Sequence, residues 1–142
     1  MSVFVDTGVF FAHHDTDADR HDQAVNALDR LFDGEFGQPY TNDYVFDETV
    51  TLTRARTGSF DAADTVASRI LGEDPFPRVF EMVHVEPDDV RASLETFRRY
   101  EDHDLSFTDA SIVTLCESRG IDAVLSFDTD FDGLVDRIEP GR

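Results

Sequence analysis

The stretch Asp104–Phe131, DLSFTDASIVTLCESRGIDAVLSFDTDF, holds a helix start that carries an acid, a helix, a glycine stop, a short apolar strand and a second acid. Ser106-Phe107-Thr108-Asp109 has the S-x-x-D pattern of a capping box, in which the acid in the first turn bonds back to the cap amide. It predicts a helix over about Thr108–Arg119, stopped by Gly120. Ala123–Phe127 then reads as a strand, and Asp128 stands just past its end. Asp109 and Asp128 are thereby expected to meet at one end of a β-sheet.

Working outward from this stretch, the rest of the chain alternates in the same way. Val3, Phe4 and Val5 form a continuous apolar run ending on Asp6, as expected of a strand buried on both faces of a parallel sheet. Thr7 is a candidate cap for a short helix, GVFFAHH. Helical periodicity of Val25, Leu28, Leu31 and Phe32 predicts a helix over about Ala18–Phe32, and Pro39–Thr41 a weak second strand. Asn42 or Thr41 can cap a helix over Asp43–Thr57 that stops at Gly58, and Phe60–Leu71 forms another, broken by Pro75 and Pro77. RVFEMVHV, residues 78–85, alternates as a third strand, Pro87 opens a helix to about Tyr100, and VDRIEP can add an edge strand. Strands alternating with helices predict an α/β domain with a mainly parallel sheet, spanning residues 1–142 as one unit. Right-handed crossovers gather the strand carboxyl ends on one edge, where such sheets bind ligands.

Four acids are candidates for that edge. Asp6 ends the first strand, where its local role is to cap the following helix. Glu48 shares an i, i+3, i+7 stripe with Val45 and Leu52, so it is expected against the core; an ion pair with Arg56 is the local alternative. Asp109 serves its capping box, and Asp128, with Asp130 and Asp132, can be plain turn chemistry. Crowded carboxylates cannot all ionise without compensation. A hard divalent ion, Mg²⁺ or Mn²⁺, provides it through oxygen ligands, and such a centre hydrolyses phosphodiesters. Asp6, Glu48, Asp109 and Asp128 are therefore the expected metal-binding and catalytic set, with Asp130 as a candidate fifth ligand. His13, His14, His21, His84 and His103 have no zinc-type spacing and are expected at solvated or edge positions.

Composition narrows the partners less than usual. Of 142 residues, 31 are acidic (22 Asp, 9 Glu) and 12 are basic, all of them Arg, for a net charge of −19. So acidic a surface normally argues against nucleic acid. At molar salt, however, the screening length falls to about 3 Å. An Asp-rich, Lys-free chain points to a very salty cytoplasm, as in halophilic archaea, and its acidity then says little about partners. No apolar run approaches the roughly 20 residues that span a bilayer, so no membrane association is expected. The N-terminus has no basic leader segment, and the single Cys116, set among Ile112, Val113 and Leu115, reads as a core residue, both fitting a cytoplasmic location.

VFVDTGVFFA, YVFDETVTLTRAR, DLSFTDASIVTLCESRGI and AVLSFDTDF, in this order and spacing, resemble the PIN domain, and within it the VapC-type toxin ribonucleases. The resemblance spans nearly the whole chain. It implies a PIN-like three-layer domain, a mainly parallel five-stranded sheet flanked by helices, and an acidic Mg²⁺ or Mn²⁺ site that cuts RNA. Position by position, it assigns the metal-binding acids to Asp6, Glu48, Asp109 and Asp128, a less constant acid to Asp130, and supporting hydroxyls to Thr7 and Ser126. It further implies a cognate antitoxin and a homodimer. A housekeeping nuclease and a non-catalytic RNA- or protein-binding module of the same fold stay open as alternatives. Haloacid-dehalogenase-like phosphatases and response-regulator receivers use a lysine near the phosphate, and a P-loop needs G-K-[ST]; this chain has no lysine at all.

Overall fold

The computed structural model describes every residue from Met1 to Arg142. Its elements run β1 (Ser2–Val5), α1 (Thr7–His14), α2 (His21–Phe32), β2 (Gln38–Asn42), α3 (Asp43–Thr57), α4 (Phe60–Leu71), β3 (Glu81–Val83), α5 (Pro87–Arg99), α6 (Phe107–Arg119), β4 (Ala123–Leu125) and β5 (Arg137–Ile138). The five strands form one sheet in the order β3-β2-β1-β4-β5. Every pairing is parallel, with Val3 opposite Pro39 on one side and Ala123 on the other. The strand order reverses between β1 and β4, which is where a parallel sheet opens a crevice at its carboxyl edge.

Val3, Phe4 and Val5 are consecutive and all fully buried, so both faces of the central strand are covered. α1 packs on α2 and α3, α3 on α4, and α5 pairs with α6. The core runs from Phe4, Val9 and Leu28 through Ile70 to Ile112, Leu115 and Phe131, with Cys116 buried among them as expected. Burial pushes the Cys116 thiol up to about 12, which leaves it protonated and inert. At Gly37 (φ +76°) a Cβ would lie 1.9 Å from the Met1 carbonyl oxygen, which accepts the Gln38 amide at 3.2 Å; only glycine lets β2 enter beside β1 there.

Several element ends differ from the sequence reading, each for a local reason. Of the two caps the sequence offers for α1, Asp6 and Thr7, Asp6 is the one used: its carboxylate takes the Thr7 amide at 2.8 Å. α2 begins at His21, not Ala18, because Asp15 accepts the Asp17 amide at 3.0 Å and holds residues 15–20 in turns. α4 spans Phe60–Leu71 as expected, but Gly72 (φ +73°) is its stop and not the prolines beyond. β3 is only three residues long, Glu81–Val83, and ends at Val83 where its partner strand β2 ends at Asn42. β4 stops at Leu125, before Ser126 and Phe127, since the Asp128 amide turns back to the Ser126 hydroxyl at 2.9 Å.

Candidate active-site cleft

A cleft of about 1030 Å³ opens at the carboxyl edge of the sheet, and Asp6, Glu48, Asp109 and Asp128 all line it, together with Thr7 and Ser126. β1 delivers Asp6, α3 delivers Glu48, the first turn of α6 delivers Asp109, and the turn after β4 delivers Asp128.

Hydrogen bonds pin three of these acids. One oxygen of Asp6 accepts the Thr7 amide, and the other accepts the Ser126 hydroxyl at 2.7 Å. Ser126 Oγ in turn accepts the Asp128 amide, so one hydroxyl ties the β1 acid to the β4 acid. Asp128 Oδ1 accepts the Asp130 amide at 2.9 Å, which caps the short 3-10 turn Thr129–Phe131. The expected capping box is present in α6: Ser106 Oγ accepts the Asp109 amide and Asp109 accepts the Ser106 amide, both at 3.0 Å. Asn42 couples the remaining wall. Its side chain caps α3 at Val45 and donates to Ser111 on α6 at 3.0 Å, joining the helix that carries Glu48 to the one that carries Asp109.

The electrostatics of this cluster are unfavourable by themselves. Burial pushes the Asp6 carboxyl up to about 7, and the charges of Asp109 and Glu48 add to this, against the hydrogen bonds from Ser126 and Thr7. Burial likewise pushes Asp109 up to about 6, with Asp128 and Glu48 adding and the Ser106 bonds opposing. The donor set for an ion is all oxygen, and the Thr7 hydroxyl is buried without any hydrogen-bond partner. Buried carboxylates with raised pKa values and an unpartnered hydroxyl suit a hard divalent cation. No three of the titratable side chains stand near enough to grip one ion unaided.

Asp130 does not line the cleft; its carboxyl is raised chiefly by the neighbouring Asp128 charge. The ion pair between Glu48 and Arg56 is absent, and Arg56 stacks on Phe11 instead, 5.2 Å from the ring centroid. α3 buries Val45, Thr49 and Thr53, so Glu48 lies beside the buried stripe, half-buried, and not within it. No histidine lines the cleft. His84 is exposed as expected, but His13 and His14 are half-buried beside Arg69, and burial lowers both, His13 to about 4. Arg20 and Arg56 also line the cleft, a placement for which the sequence carries no motif.

Residues 3–135 match the model of the PIN domain family. Among curated proteins the chain is similar to a VapC ribonuclease of Archaeoglobus fulgidus, 24% identical over 132 residues, which cover 92% of this chain and 80% of the relative. It is similar also to the 23S rRNA-specific endonuclease VapC20 of Mycobacterium tuberculosis, at 29% identity over 129 residues and 91% of each chain. The crystal structure of that protein, described as a sarcin-ricin loop cleaving toxin, superposes with a TM-score of 0.76, covering 91% of this chain and 92% of the other. VapBC2 of Rickettsia felis, solved bound to a promoter DNA fragment, shares the fold at a TM-score of 0.70 and 11% identity, over 97% of this chain and 98% of that one.

Proposed function

This chain belongs to the PIN domain family, and on that premise we propose that it is a Mg²⁺- or Mn²⁺-dependent endoribonuclease, the toxin of a VapBC-type toxin–antitoxin pair. The observation that carries this reading is the convergence of Asp6, Glu48, Asp109 and Asp128 on one cleft at the β1/β4 switch point. VapC ribonucleases among its relatives support RNA as substrate. One or two of Asp6, Glu48, Asp109 and Asp128 would hold the ion directly and the others through water, Asp130 would act from behind Asp128, and Thr7 and Ser126 would support them. A divalent ion bound there supplies Lewis-acid activation of the phosphate and of the attacking water. The chain's own part is orientation: Ser126 and the Thr7 amide fix both oxygens of Asp6, and Ser106 fixes the angle of Asp109.

An antitoxin is the expected protein partner, and an acidic cleft suits occlusion by its arginine or lysine side chains. A homodimer is supported by Val90, Leu94 and Phe97, an exposed apolar stripe at i, i+4, i+7 along α5. No helix is long and apolar enough to cross a membrane. The residue balance supports a single domain working in a highly saline cytoplasm; unfolding measured from low salt to multimolar KCl should show stability rising with salt.

The test of the activity is cleavage of structured RNA with Mn²⁺ or Mg²⁺ at multimolar salt. Cleavage should stop with EDTA and in Asp6→Asn, with the fold retained. An asparagine can still accept the Thr7 amide and donate to Ser126. Cleavage that survives both treatments would overturn the metal mechanism.

A further inference from the structure

The cleft holds two guanidinium groups among its carboxylates, and neither forms an ion pair. Asp6, Asp17, Asp19, Glu48, Asp109 and Asp128 line it together with Arg20 and Arg56. In a chain with 31 acids to 12 arginines, each of these two has abundant carboxylates within the same cleft. Only Arg30, Arg119 and Arg137 of the twelve arginines take such partners, so what sets Arg20 and Arg56 apart is that they are the two arginines lining the acidic cleft. Each is held by an aromatic ring instead. Arg20 lies over Phe127, 4.9 Å from the centroid, and Arg56 over Phe11 at 5.2 Å. Both rings belong to the elements that build the site: Phe127 stands between Ser126 and Asp128, and Phe11 lies on the helix that Asp6 caps.

A guanidinium stacked by its face on a ring keeps its edge N–H groups free to donate, and their fork matches two oxygens of one phosphate. Both residues are exposed and line the cleft, so their guanidinium groups are open to solvent there. Loss of charge attraction at high salt leaves such oriented hydrogen bonds as the means by which an acidic protein retains an anionic strand.

We propose that Arg20 and Arg56 grip the RNA backbone on either side of the bond to be cut, each binding one phosphodiester through a guanidinium held in place by Phe127 or Phe11. This rests on the ribonuclease reading above. The contacts are to phosphate, so they set the position of the strand and not its sequence.

The experiment measures binding of a fluorescein-labelled RNA oligonucleotide by anisotropy, using the full chain in an Asp109→Asn background, in which cleavage is slowed about a hundredfold or more. Arg20→Gln and Arg56→Gln should each weaken binding about tenfold, whatever the oligonucleotide sequence, with the circular dichroism spectrum unchanged. Arg56→Lys should recover part of the loss. In the wild-type background, the same substitutions should raise KM about tenfold and leave kcat within about twofold. RNA affinity unchanged in both glutamine variants would overturn the proposal, as would full rescue by lysine, or a loss confined to an acidic polypeptide such as polyglutamate. Failure of the wild-type chain to cut RNA, with the arginine-dependent binding intact, would instead overturn the nuclease reading and leave the grip standing.

Discussion

α5 and α6 lie side by side and open in similar ways, yet the acids in their first turns have opposite characters. Asp89 accepts the Glu86 amide and Asp109 accepts the Ser106 amide, both at 3.0 Å. The residue exposures are nearly equal, 8% and 9%. The Glu86 amide, followed by the Arg119 guanidinium 3.0 Å away, holds the Asp89 carboxyl below its usual range. Burial, with Asp128 and Glu48 facing it, lifts Asp109 to about 6. Equal accessible area conceals unequal surroundings: Asp89 is covered by one long side chain, whereas Asp109 is enclosed by the fold beside like charges. A capping bond aims a carboxylate, and what the carboxylate then faces decides whether it stabilises a helix or awaits a cation.

The largest difference between the two acids is expected in catalysis. Asp109→Asn is expected to lower single-turnover RNA cleavage about a hundredfold or more, while Asp89→Asn stays within about twofold; equal losses would deny Asp109 its special role. The next largest effect is on the pH dependence of stability without divalent ions. Asp6 and Asp109 have folded pKa values of about 7 and about 6, above the ordinary aspartate value of 3.8. Between these limits the native state binds more protons than the unfolded one, so stability is full below about 4 and falls as pH rises to about 7, by an amount on the order of a few kcal/mol. Urea denaturation across that range should show the fall, Asp6→Asn should flatten it, and Mn²⁺ should offset it. Asp89 acts with the opposite sign: its contribution is present above 3.8 and is lost as pH drops through its lowered pKa.

At neutral pH, Asp89→Asn should destabilise the fold by about 1 kcal/mol, since its half-exposed Arg119 partner adds little beyond the cap. Asp109→Asn should leave the ion-free protein at least as stable as wild type, because asparagine keeps the Ser106 bond and removes a buried charge. A thermal melt of both variants decides this. The smallest effect belongs to Ser106→Ala, which should cost about 1 kcal/mol or less through the lost cap. It should also raise the Asp109 pKa further, visible as a shift of the metal-free stability profile to higher pH, because the Ser106 bonds now oppose the rise.

Much of the fold was legible because its signals are local. The Asn42 cap, the Gly58 stop, Pro87 at the first turn of α5 and the Ser106 box all work within four residues of where they stand, and all appear where the sequence reading expects them. The errors are local competitions decided by single side chains: Asp15 holding a turn against the start of α2, and Ser126 taking the amide that would have lengthened β4. The arginines of the cleft were illegible for a different reason. Nothing near Arg20 or Arg56 in sequence names Phe127 or Phe11 as its ring.

The order of helices and strands, most of their stops, and the standing of acids at strand ends and first turns can all be read from the chain alone, because periodicity, caps and breakers act over a few bonds. Which of the 31 acids meet was decided only by tertiary structure. Asp6 and Ser126 are 120 residues apart and 2.7 Å from each other because β4 docks on β1 and not beyond β3. Burial and mutual repulsion, the quantities that separate Asp109 from Asp89, belong to that packing and to no segment of the chain.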